Sequence, residues 1–226
     1  MAPEIVIALD LPGEDARRLL DQIPDVRWVK VGSILYTREG PALIRDLVGR
    51  GVRVFLDLKW HDIPNTVSEA VVAASEMGIA MATVHTLGGM AMMAAAARAA
   101  GSGLGLVGVT VLTSHTAESY AAALGRAQVA LPDEVARLAT DALRAGLRGV
   151  VCSPLEAATI RRLAGPGTWI VVPGIRRPGD PPGDHARSAT PGEAARAGAS
   201  HLVVGRPILQ AAKPAEVFRE LTEDAS

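Results

Sequence analysis

The sequence predicts a single (β/α)8 barrel over residues 1–226, on three observations. Eight apolar runs rich in Val and Ile recur through the chain. Segments with helical spacing of apolar residues lie between them. No Gly-x-Gly-x-x-Gly follows the first run, which counts against an open doubly wound sheet. Near-continuous apolar strands alternating with helices imply a parallel sheet covered by helices. Eight such units in a chain of about this length match a closed barrel.

The elements follow in order. The first strand is EIVIALD (4–10), and EDARRLLDQI (14–23) is its helix. VRWVKVG (26–32) and GPALIRDLVGR (40–50) form the second unit, RVFLDLK (53–59) and VSEAVVAASEM (67–77) the third. MATVHT (81–86) precedes AMMAAAARAA (91–100), whose Met/Ala stripe reads as core packing. GLVGVTVL (105–112) is the fifth strand and EVARLATDALRAG (134–146) its helix. GVVCS, WIVVPGI and HLVVGR supply strands six to eight, with LEAATIRRLA, TPGEAARAG and AEVFRELTED as their helices. Two connections exceed the usual few residues: TSHTAESYAAALGRAQVALPD after strand five and RRPGDPPGDHARSA after strand seven. Both leave C-terminal strand ends, where barrel active sites lie, and read either as variable surface loops or as two lids over one substrate.

Composition narrows the function classes. The formal net charge of −1 gives no global electrostatic case for nucleic acid or an anionic membrane. The N-terminus reads as a first strand, since it carries no basic region ahead of its apolar run. The Ala/Met-rich run is too short to span a bilayer. The one cysteine, Cys152, has no internal disulfide partner, which fits a reducing compartment. The expectation is a cytoplasmic protein.

The stretch DLKWHDIPNT (57–66) carries the most pointed chemistry. Strand alternation puts Asp57 and Lys59 on one face. A dry apolar core there would be costly, so the face is expected to open on the barrel mouth. Other polar residues fall at C-terminal strand ends: Asp10, Lys30, His85, Thr113, Arg176 and Arg206. Lys30, Asp57, Lys59 and Asp62 balance two cations against two anions, and alternated in space each would hold its neighbour charged. Of 23 basic residues only Lys30, Lys59 and Lys213 are lysine. Lysine can release a proton near neutral pH once its environment shifts it, and arginine effectively cannot. PGIR (173–176) and VVGRPI (203–208) each offer a glycine and an arginine, the pattern of a phosphate site at strands seven and eight. His61 reads as a polar residue leading a helix and His85 as a hydrogen-bonded strand-end residue; His115 and His201 lack a partner pattern, and no HExxH, CxxC or carboxylate cluster marks a metal site.

With these residues in place, the chain resembles the orotidine 5'-phosphate decarboxylase family. DLKWHDIPNT is similar to that family's DxKxxDIPNT signature. IALD, VKVG, VTVLTS, PGIR and VVGRP occur in the family's order and spacing. The resemblance implies decarboxylation of orotidine 5'-phosphate without a cofactor. It implies that Lys59 protonates C6 of the pyrimidine, with Asp57 beside the substrate carboxylate and Lys30 and Asp62 completing the array. Asp62 and Thr66 would reach in from the partner subunit of a homodimer. Asp10 and Lys30 would bind ribose hydroxyls, and Thr113 would lie at the pyrimidine lid. Pro173, Arg176, Gly205 and Arg206 would form the phosphate end. One departure stands out: the family's lid reads GDQxR, whereas this chain reads GDHAR and places His185 there. The nearest rival is a sugar-phosphate decarboxylase or epimerase of the same barrel group. Such proteins carry an acidic metal ligand on strand two, where this chain has Lys30. A non-catalytic nucleotide-binding barrel is a third reading, which the Lys/Asp set opposes.

Overall fold

A computed structural model describes residues 2–180 and 188–226. Eight parallel strands close into a barrel in sequence order. They are β1 (Glu4–Ala8), β2 (Trp28–Gly32), β3 (Arg53–Trp60), β4 (Met81–His85), β5 (Gly105–Val109), β6 (Gly149–Val151), β7 (Trp169–Val172) and β8 (His201–Val204). The ring is completed by β8 pairing with β1, Val6 opposite Val203. Outside it lie α1 (Gly13–Gln22), α2 (Ser33–Gly49), α3 (Pro64–Glu76), α4 (Gly89–Ala100), α5 (Ala117–Ala123), α6 (Leu131–Arg144), α7 (Pro154–Ala164), α8 (Pro191–Arg196), α9 (Arg206–Leu209) and α10 (Pro214–Asp224). None of the described helices is long and apolar enough to cross a membrane.

The helix starts are written in the chain. Pro64, Pro154, Pro191 and Pro214 open α3, α7, α8 and α10. Proline is suited to that position, because its missing N–H has no partner there in any helix. Ser153 with Glu156, and Thr190 with Glu193, form reciprocal capping boxes. Two elements depart from the sequence reading. The helix expected from Gly40 begins at Ser33, and Gly40, at φ 61° before Pro41, breaks it into two segments. The connection after β5, for which no helix was expected, contains α5, started by a capping box between Thr116 and Ser119.

Strands are apolar on both faces because both are covered. Ile5, Ile7 and Leu9 pack outward against the helices. Val6, Ala8, Trp28, Phe55, Met81, Val107, Val171 and Val203 fill the barrel interior. At its lower end Trp28 meets Trp169 edge-on, with ring centroids 6.1 Å apart, and both contact the His201 ring. The Trp169 ring needs Gly105, where a Cβ would lie 2.2 Å from a ring carbon. Arg148 caps the same ring from outside, 4.3 Å from its centroid.

This plug has a thermodynamic consequence. Burial, with the charges of Arg53 and Arg148 nearby, pushes His201 down to about 4 from 6.5. Its neutral form is the folded form, so stability is complete above about pH 6.5 and declines as pH falls from there towards 4. The full effect is roughly 3 kcal/mol at one unit per 1.36 kcal/mol. Replacing His201 by Phe is expected to remove this slope. Denaturant unfolding at pH 7 and pH 4.5 should show a smaller loss of stability in the variant than in the parent.

Candidate active site

The site begins with strand alternation. Residues two apart share a face. Val6 and Ala8, Trp28 and Lys30, and Phe55 and Asp57 therefore stack inward along β1, β2 and β3. Their lower members belong to the apolar filling. Above it, Asp10, Lys30, Asp57 and Lys59 line one cavity of about 490 Å³, a volume suited to a small molecule. Lys30 is a mid-strand residue rather than the strand end expected, and Thr113 lies four residues beyond the end of β5.

Charges alternate along this wall. Lys59 Nζ lies 3.0 Å from Asp57 Oδ1, Asp57 Oδ2 lies 3.8 Å from Lys30 Nζ, and Lys30 Nζ lies 3.3 Å from Asp10 Oδ1. Within one chain the fourth member is thus Asp10, not Asp62. Lys30 and Asp57 are 13% and 15% exposed, so solvent screens their interaction only partly. The glycine of VKVG makes room for this: a Cβ on Gly32 would lie 3.0 Å from Lys30 Nζ.

Lys59 does not reach the wall by simple alternation, as the sequence suggested. The β3–β4 register jumps from Leu56 opposite Ala82 to Trp60 opposite Val84. Lys59 sits in this bulge at φ 53°, the one described residue other than glycine in the left-handed region. Such a conformation costs about 1–3 kcal/mol and occurs where the surroundings enforce it, often at functional sites. Thr83, fully buried on β4, lies opposite the bulge. Its hydroxyl accepts from the Lys59 backbone N–H at 2.8 Å and donates to Asp57 Oδ1 at 3.1 Å. Sequence reasoning missed Thr83; the available signal was a polar residue inside the apolar run MATVH.

The rest of the wall comes from β5 to β8. Thr113, Pro173, Arg176, Gly205 and Arg206 all line the cavity, as does Cys152, which the sequence reading used only to argue compartment. Gly174, at φ 81°, turns the chain after β7, and Ile175 then bridges Ala189. Arg176 is 8% exposed and donates to the Ile175 carbonyl at 2.8 Å. A guanidinium held in the interior beside a cavity favours an anion there.

Two expected residues do not join this wall. Asp62 and Thr66 are exposed, and neither lines the cavity. Asp62 accepts from the Ile63 N–H at 2.7 Å, and Ile63 is 66% exposed. His185 lies outside the described residues. His61 and His85, read as separate polar residues, stack with centroids 5.6 Å apart. Burial first, then His61 and Lys59, pushes His85 down to about 4. Its Nδ1 accepts from the Leu87 N–H.

A closed parallel barrel with alternating ammonium and carboxylate groups at its mouth, and two arginines lining the same cavity, has the form of a small-molecule barrel protein. Its lineage is specific. The chain belongs to the orotidine 5'-phosphate decarboxylase / HUMPS family, whose profile matches residues 3–221. It is 48% identical over 221 residues to an orotidine 5'-phosphate decarboxylase from Anaeromyxobacter sp. strain K, covering 96% of each chain. It is 49% identical over 220 residues to one from Halorhodospira halophila, covering 94% of this chain and 92% of that one. The crystal structure of the Lactobacillus acidophilus orotidine 5'-phosphate decarboxylase superposes over the full length of both chains, with a TM-score of 0.88 at 36% identity.

The strain at Lys59 can be measured without activity. Lys59→Gly and Lys59→Ala both lose the ammonium, but only glycine adopts positive φ freely. The glycine variant is expected to be more stable than the alanine variant by about 1 kcal/mol. Equal unfolding midpoints would show that the bulge does not strain the backbone.

Proposed function

We propose that the chain decarboxylates orotidine 5'-phosphate to uridine 5'-phosphate, the last step of de novo UMP synthesis, without a cofactor. The observation that carries this is the Asp10–Lys30–Asp57–Lys59 alternation beside an arginine-lined end of the same cavity. The bond between C6 and the carboxylate carbon breaks, carbon dioxide leaves, and the electron pair remains at C6. A fixed ammonium at Lys59 stabilises that pair and then donates its proton to C6. The neutral amine recovers a proton from water. Asp57 holds Lys59 in place and lies on the side assigned to the substrate carboxylate, with Lys30 compensating its charge. Asp10 and Lys30 are assigned to ribose hydroxyls, and Thr113 to the pyrimidine end. Pro173, Arg176, Gly205 and Arg206 form the phosphate end. Binding energy gained at the phosphate, away from the reacting carbon, favours closure and so lowers the barrier at the pyrimidine.

The alternative within the barrel group, a metal-dependent sugar-phosphate decarboxylase or epimerase, fits less well. The strand position where that group carries an acidic metal ligand is Lys30 here, and its ammonium repels a divalent cation. Among the described residues no cluster of three His, Cys, Asp or Glu side chains is arranged to hold a metal. The direct test follows the absorbance of orotidine 5'-phosphate. Turnover is expected to persist after exhaustive chelation, and Lys59→Arg is expected to lose at least about a hundredfold in kcat, the scale of proton-transfer catalysis. Substrate left unconsumed by the parent protein would overturn the reading, and activity lost to chelation would favour the rival.

The assembly proposed is a cytoplasmic homodimer in which Asp62 and Thr66 complete the neighbouring site. It is supported by their exposure beside Ile63, outside their own cavity. Lys59→Ala and Asp62→Asn chains, each inactive alone, are to be unfolded and refolded together. Random pairing makes about half the dimers mixed, and one of the two sites in each then has both residues intact. About a quarter of all sites are expected to regain activity. Verified mixed dimers without turnover would rule out sharing.

A further inference from the structure

We propose that Thr83 is a positioning residue for the decarboxylation, setting where the Lys59 ammonium stands by closing a ring of hydrogen bonds around the β3 bulge. The inference rests on the reading of Lys59 as proton donor and goes beyond it, since the family's signature stretch does not include β4.

The bonding order follows from donor chemistry. A backbone N–H can only donate, so the Thr83 hydroxyl, 2.8 Å from the Lys59 nitrogen, must accept there. Its single proton is therefore free for Asp57 Oδ1, 3.1 Å away. The same Oδ1 receives the Lys59 ammonium at 3.0 Å. Lys59 is thus held at both ends, its backbone by Thr83 directly and its side chain by an Asp57 oxygen that Thr83 also holds. The register jump leaves Thr83 as the β4 residue between Ala82 and Val84, opposite the bulged residues. The Lys59 N–H has been drawn out of the regular ladder and would lack a partner without the hydroxyl. Full burial excludes water as a ready substitute. The hydroxyl lies behind the charged pair and is absent from the cavity lining, so it acts through Asp57 and Lys59 rather than on substrate.

Thr83→Val keeps the side chain's shape and removes the hydroxyl; Thr83→Ser keeps the hydroxyl and removes the methyl. With the valine variant, kcat is expected to fall at least tenfold while KM and uridine 5'-phosphate affinity stay within threefold. The serine variant is expected to stay within threefold of the parent in kcat. A role limited to packing would instead spare valine and penalise serine, which lacks the methyl, and a role in substrate binding would raise KM with kcat unchanged; either result overturns the proposal. So does a valine variant as fast as an active parent, an outcome that leaves the decarboxylase reading intact. Should valine prevent folding, Thr83→Ala serves in its place under the same criteria. A crystal structure of the folded variant gives a readout independent of turnover. Lys59 is expected to leave the left-handed region or its contact with Asp57, and an unchanged bulge and ion pair would overturn the positioning role.

Discussion

Everything at the mouth of this barrel depends on one balance: four charged groups of alternating sign held within a few ångströms on three neighbouring strands. Lys30 and Asp57, largely buried, would be costly alone. Together each is its neighbour's counter-charge. The rest of the architecture supplies the conditions for that balance. Parallel closure points the C-terminal strand ends the same way. The apolar layer beneath, with Phe55 and the two tryptophans, closes the barrel floor. Gly32 clears space for one ammonium, and the β3 bulge aims the other.

Much of this was legible in the chain, for reasons that can be named. The strands were readable because a parallel barrel covers both faces of every strand, so each appears as an unbroken apolar run. Charged residues closing such runs then had few places to go but the mouth. What escaped the sequence was tertiary. Alternation predicted a shared face for Asp57 and Lys59, and both do line the cavity, but a bulge rather than alternation brings Lys59 there. No pattern within β3 announces a bulge whose N–H is met by a hydroxyl on the next strand. Helix α5 was missed because its short Ala-rich segment sits in a connection dominated by loop-forming residues, and its capping box ends in Ser119 rather than Glu. Gly40 concealed the first half of α2, since a glycine before a proline reads as a boundary and here is an internal break. Asp62 lies at a further limit: a residue proposed to serve another subunit stands outside the cavity of its own chain, so nothing there discloses its role.

The order of strands around the ring divides the labour of the proposed reaction. The reactive charges come from β1 to β3, and the anion end from the turns after β7 and β8. Pairing of β8 with β1 brings the two groups to opposite flanks of one seam. In chain order, however, they are nearly as far apart as the molecule allows. A ribosome making this protein exposes Lys30, Asp57 and Lys59 well before Arg176 and Arg206 exist. The nascent chain therefore carries its reactive lysines for most of its synthesis without the arginines that would hold a nucleotide against them. No chain holds both groups together until its final strand closes the circle.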